Sequence, residues 1–170
     1  MAAQTVFGQS DAVAMELVDA FNAATTGTFC LKLLARRRFS RMMELVDLPK
    51  ITDPVDIQVF GGHDQADRVG LSGTYDDMYG VHVLIQQVVG AGEDAEAQCG
   101  RLIQLRSQIS EFLMSTRLDT NNAVHNIANS HVFSHRHGPE GVYDLNRLEK
   151  LNAFYSDLIV TYKAPGLRRQ

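Results

Sequence analysis

Cysteine is scarce: Cys30 and Cys99 are the two in the chain. They stand far apart and match no metal-binding or redox spacing, so free thiols in a reducing compartment are expected. Long apolar runs are missing, and none approaches the ~20 residues of a membrane-spanning helix. The opening MAAQTVFGQSD lacks a basic segment followed by a long apolar one, so no signal peptide is expected and folding in a cytoplasm is. Charge of one sign is not in large excess. The net charge of −4 and a pI near 5.8 argue against nucleic-acid binding by bulk charge, though they leave room for a local basic patch. Internal repeats and low-complexity segments are also lacking.

Catalytic signatures are equally scarce. Gly61-Gly62 opens neither G-x-x-x-x-G-K-[ST] nor G-x-G-x-x-G, so it is no phosphate loop. Serine and cysteine nucleophile motifs are absent. Asp64, Asp67, Asp76 and Asp77 lack the spacing of a calcium loop. As paired carboxylates they lack a partner histidine or a flanking strand, so solvation is expected. His131, His135 and His137 lie close together, with His125 just upstream. An i, i+4 pair on a helix suits zinc, yet there is no H-E-x-x-H and no nearby cysteine. Gly138-Pro139 points to a loop, so exposed histidines on a polar loop are the favoured reading over a metal site. Arg36, Arg37 and Arg38, with Arg41, form the densest positive patch. A solvated strand end is favoured there over a phosphate or acidic partner. No enzyme and no cofactor are expected.

What is present is a chain of 170 residues, 45% apolar and 21% charged, enough for one domain with a real core. Residues 1–10 read as a flexible leader and 165–170 as a tail, around a single domain at 11–164. Ser10 suits an N-cap and Asp11 the positive end of a helix. Val13, Leu17, Ala20, Phe21 and Ala24 then recur at helical spacing over 11–24, with Gly27 as a left-handed cap. Residues 28–38 alternate, with Phe29, Leu31, Leu33 and Ala35 on one side, and predict a first strand. Residues 39–54 read as irregular, punctuated by Pro49 and Pro54. Val55, Ile57 and Val59 mark a second strand. Residues 61–78 are polar and glycine-containing and predict a long loop, the kind that becomes ordered by a partner.

Tyr79 to Val89 predicts a third strand, with Tyr79, Val81, Val83 and Ile85 toward the core. Residues 95–116 carry the strongest helical signal, a stripe of Cys99, Leu102, Leu105, Ile109, Phe112 and Leu113, with Arg106 among the residues mostly off it. Residues 117–150 are less regular, with a short helix near Asn146–Leu151. The last strand spans Leu151–Lys163, with Phe154, Ser156, Leu158, Val160 and Tyr162 on its apolar face. The expected fold is α+β: a mostly antiparallel sheet of about four strands against two main amphipathic helices. No βαβ rhythm is visible.

The back faces of these strands carry Leu34, Leu84, Val88, Tyr155 and Ile159 beside charges. Two helices cover one sheet face well and hardly two. A second subunit or the segment 117–150 is therefore expected over the other face.

Four segments carry a resemblance: DPVDIQVF at 53–60, YGVHVLIQQV at 79–88, RLIQLRSQISEFL at 101–113 and FYSDLIVTYK at 154–163. In order and pattern the chain resembles the tail terminator, or tail completion, proteins of long-tailed bacteriophages and related neck proteins, over most of 10–164. The resemblance implies a structural virion protein, assembled in the host cytoplasm, that forms a homo-oligomeric ring, a hexamer. Such a ring caps the growing tail tube, stops its polymerisation and docks to the neck or connector. The implied partners are other copies of the chain, the tail tube protein, and a neck or connector protein. Segment 117–150 lies outside the pattern and is an elaboration suited to a sheath or connector contact. No membrane contact and no specific nucleic-acid binding are implied, with room for DNA in the ring lumen. The candidate subunit or tube interface comprises Arg36, Arg37, Arg38, Arg68, Leu84, Tyr155 and Ile159. Three alternatives stand beside it: a head-to-tail adaptor or stopper of the neck, a small metal-binding protein using 125–137, and a cytoplasmic adaptor domain unrelated to phage.

Overall fold

The computed structural model describes residues 9–38, 54–69, 74–90, 93–118, 131–139 and 141–164. Along the chain run α1 (Gln9–Ala23), β1 (Leu33–Arg37), β2 (Val55–Val69), β3 (Thr74–Val88), α2 (Glu93–Ser115), β4 (His131–His137), α3 (Leu145–Leu151) and β5 (Ala153–Ala164). The strands form one mixed sheet in the order β1-β2-β3-β5-β4. β1 runs parallel to β2, and the other three pairings are antiparallel. The α+β class is as expected. Among the described residues the sheet has five strands where periodicity predicts about four, it includes a parallel pair, and the short helix expected near Asn146–Leu151 is α3.

Alternation sets the front face. Tyr79, Val81, Val83 and Ile85 of β3 lie beside Phe154, Leu158, Val160 and Tyr162 of β5, and all are buried in the main core. Val55, Ile57 and Val59 extend that face onto β2, and Ala35 onto β1. Two helical stripes cover it. α1 contributes Val13, Leu17 and Phe21; α2 contributes Leu102, Leu105, Ile109 and Leu113. At 23 residues α2 is about 35 Å long, enough to cross the strands. Phe29 of the predicted first strand lies in a bend ahead of β1, yet packs with Phe21 and Phe112, ring centroids 5.3–6.2 Å apart.

The edge at β1 is closed by a side chain. Asn22 Nδ2 donates to the Ala35 carbonyl at 3.0 Å, and the Ala35 N–H donates to Asn22 Oδ1 at 2.9 Å. One amide of α1 thus satisfies both backbone groups of an edge residue that would otherwise invite another strand. Close approach also governs the start of α1. A Cβ on Gly61 would fall 2.9 Å from the Asp11 nitrogen and 3.0 Å from the Ser10 carbonyl carbon, so the helix docks where β2 has no side chain.

Several expectations are corrected. Gln9 and Ser10 belong to α1, so the helix starts two residues before the predicted 11, and Ser10 lies inside it instead of capping it. Gly27 has a positive φ of 96° but sits in the turn after α1, where the Thr28 N–H donates to the Thr25 carbonyl. Within the predicted loop at 61–78, residues 61–69 and 74–78 are paired strand. The ladder shifts register between Gly61 and His63, then continues from His63↔Gly80 to Val69↔Thr74. An antiparallel ladder is held by backbone hydrogen bonds, so polar side chains conceal it without preventing it. Residues 131–137, read as loop, are edge strand β4, whose alternation is broken by a bulge between Val132 and Ser134. The irregular stretch 39–53, His125 and the terminal tail lie outside the described residues.

Candidate functional site

Cross-strand register sorts the predicted interface residues. Arg36, Gln58, Leu84 and Asp157 form one row across β1, β2, β3 and β5 on the back face. Tyr155 stands opposite Gln86, and Ile159 opposite His82, on the same face. The structure therefore gathers Arg36, Leu84, Tyr155 and Ile159. Arg37 points the other way and pairs with Asp11 of α1 at 3.0 Å. Arg38 follows the strand, its N–H donating to the Val59 carbonyl at 2.9 Å. Arg68 lies near the end of β2, opposite Tyr75. The arginine run is thus divided between two faces. Arg36 itself meets Asp56 at 3.3 Å, so two of the three charges are balanced within the chain.

The back face is not open. Leu84 is 0%, Tyr155 6% and Ile159 7% exposed in the single chain. Of the two expected covers, a second subunit or the segment 117–150, the first is not required for these residues. Its chemistry is also more polar than a half-apolar reading suggests, because Asp56, Gln58, His82, Gln86 and Asp157 are buried beside Phe60, Leu84 and Tyr155. Buried polar groups of this kind are tolerated when they are paired. His82 Nδ1 lies 3.0 and 3.1 Å from the two oxygens of Asp157. Phe60 stacks on the imidazole, with centroids 4.8 Å apart and planes within 2°. Gly62 abuts the far edge of the ring: a Cβ there would lie 3.0 Å from His82 Cδ2 and 3.2 Å from Nε2. Carboxylate, stacked ring and bare backbone together hold the imidazole in one orientation. At the rim the Arg147 guanidinium sits 4.2 Å from the Tyr155 ring centroid while its Nε pairs with Asp144.

A second cluster lies on the front, in the seam between α2, β4 and β5. Arg106 is 6% exposed, although its neighbours in sequence place it mostly off the apolar stripe. Its Nε donates to Ser156 Oγ at 3.1 Å, and Ser156 in turn donates to the Val142 carbonyl at 2.6 Å. Its Nη2 meets His137 Nδ1. One turn further along α2, Ser110 Oγ is 3.1 Å from His135 Nδ1. Burial pulls the Arg106 pKa down. Desolvation, followed by the charge of Arg106 and then His135, holds His137 below the ordinary histidine value. His135 and His137 thus act as contacts between a strand and a helix. Among the described residues, no group of three histidine, cysteine, aspartate or glutamate side chains is placed to hold a metal ion.

An open cleft of about 420 Å³ lies beside the β1 edge, lined by Phe21, Asn22, Thr25, Phe29, Lys32 and Leu33 among others. Cys30 is at its margin, its N–H donating to Gln108 Oε1 at 2.7 Å and its thiol to the Arg101 carbonyl at 3.7 Å. Burial pushes both the Cys30 and Cys99 thiols up, away from the reactive thiolate.

The His82–Asp157 pair and the Arg106 seam were both missed from the sequence. Each joins residues from distant positions, 75 and 50 apart for His82–Asp157 and Arg106–Ser156. The one local signal was that His82 and Asp157 both fall on back faces of their strands. No protein-family model matches the chain, and no curated protein matches it.

Proposed function

We propose that the chain is a structural subunit of a ring at the head-proximal end of a phage tail, where it ends tube polymerisation and joins the tail to the neck. One observation supports this reading above others. The four segments that carry the resemblance are contiguous in space: three supply the adjacent strands β2, β3 and β5, and the fourth is the body of α2, which covers them. A ring closes through heterologous contacts, one surface of a subunit meeting a different surface of the next. The two sheet edges differ in this way. One is closed by Asn22, and the other is β4, a bulged edge bearing histidines and Arg136. Since Leu84, Tyr155 and Ile159 of the back face are buried within one chain, subunit contacts are assigned to the edges and to the paired strands β2 and β3. Among the described residues, β1 pairs with β2 as far as Val59, and Phe60–Val69 continues beyond it.

Light scattering over a range of concentrations, with negative-stain images of the eluted peak, is the direct test. A closed ring of six that shortens or caps purified phage tail tubes is the expected result. A ring that binds the head connector and ignores tubes would move the chain to the neck as an adaptor or stopper. A monomer that neither assembles on tube ends nor binds them would overturn the ring altogether.

A further inference from the structure

We propose that His137 is a proton-sensitive latch that fastens the edge strand β4 to α2. A guanidinium carries N–H donors and no acceptor. Arg106 Nη2 faces His137 Nδ1, so that nitrogen accepts, and the imidazole is neutral with its proton on Nε2. Protonation turns Nδ1 into a donor pointed at a cation, and the contact becomes repulsive. Arg106, a residue of α2 itself, is buried against the sheet with its Nε tied to Ser156 of β5.

Among the described residues, the groups that meet His137 carry no negative charge. From α2 it meets Arg106, with Ser110 a turn away against His135. From its own strand, His135 stands on the same face and Arg136 on the other. From β5 it is opposite Leu158, while the nearest carboxylate in that strand, Asp157, lies on the back face and is engaged by His82. β4 has one strand neighbour among the described residues, at the end of the sheet order. Once the Arg106 contact is lost, the Ser110–His135 contact and the ladder to β5 are what hold it. Edge strands with loosened covering are the ones that pair with new partners, so acid would free the very edge that bears the histidines.

Hydrogen exchange of the full-length chain, followed by NMR and corrected for intrinsic rates, tests this. Protection of β4 amides bonded to β5 is expected to drop about fivefold, the equilibrium weight of one net hydrogen bond, between about pH 7.5 and pH 5. Amides of β3 serve as the internal reference and keep their protection. His137→Gln, whose amide oxygen accepts from Arg106 without titrating, should abolish the drop, and His135→Gln should retain it. A drop that persists in His137→Gln, or no drop in the unaltered chain, overturns the latch. The imidazole nitrogen shifts give an independent reading that needs no variant. A proton on Nε2 at neutral pH supports the latch, and a proton on Nδ1 overturns it.

Discussion

Tyr162 has a hydroxyl that the fold buries without a hydrogen-bond partner among the described residues. Its ring sits in the centre of the front-face core, 0% exposed. Burial, and after it the nearby charge of Glu16, raises the phenol pKa far above its ordinary value, so the group stays neutral across the working range of the protein. A buried, unpaired hydroxyl loses its water and regains nothing. Tyr162→Phe keeps the packed ring and removes the deficit. Denaturant unfolding is expected to show a gain of about 1 kcal/mol, and a loss of similar size would mean that the oxygen has found an acceptor. His82 presents the opposite case at the same scale, with a carboxylate for its Nδ1 and a ring for its face.

The short helix α3 shows how local rules fix an element that has no buried residues of its own. Asp144 caps it, accepting from the Arg147 N–H at 3.1 Å, and Asn152 ends it in the left-handed conformation at φ 47°. The same aspartate pairs with Arg147 Nε and so keeps that guanidinium over Tyr155. Asp144→Ala should lower stability by about 1 kcal/mol, with increased solvent access to Tyr155 in a fluorescence-quenching experiment. An unchanged Tyr155 signal would separate the cap from the cation. Elements like this, and the strands whose faces alternate, were readable from the chain. The strands read at 79–89 and 151–163 lie close to Thr74–Val88 and Ala153–Ala164, and the spacing marked the face that meets the helices, while the burial of the opposite face gave no such signal. The paired strand beyond Gly61 and strand β4 were not readable, for a shared reason: polar ladders are held by backbone pairing, and a bulge erases the period that betrays a strand. Arg106 was unreadable for another reason, since its burial depends on Ser156 and His137, far away in the chain.

For the whole molecule, the decisive question is whether one chain completes its own second layer. Apolar side chains at 0% exposure in a single copy are held by that copy. Leu84 is the clearest case. It lies mid-sheet, between Gln58 on β2 and Asp157 on β5, and forms a small cluster with Phe60 and Tyr155. Truncating it leaves a cavity between polar neighbours that cannot collapse without disturbing the His82–Asp157 contact. Leu84→Ala should therefore cost about 2–5 kcal/mol in denaturant unfolding, and the loss should be the same at every protein concentration. That independence is what distinguishes a core position from an interface position, because a contact made between copies strengthens with concentration by mass action. If the penalty grows as the protein is concentrated, Leu84 is buried by a neighbour and the back face returns as the ring interface. If it does not, any ring this chain forms is built from complete subunits meeting through β4, the Asn22-capped edge or the paired strands β2 and β3.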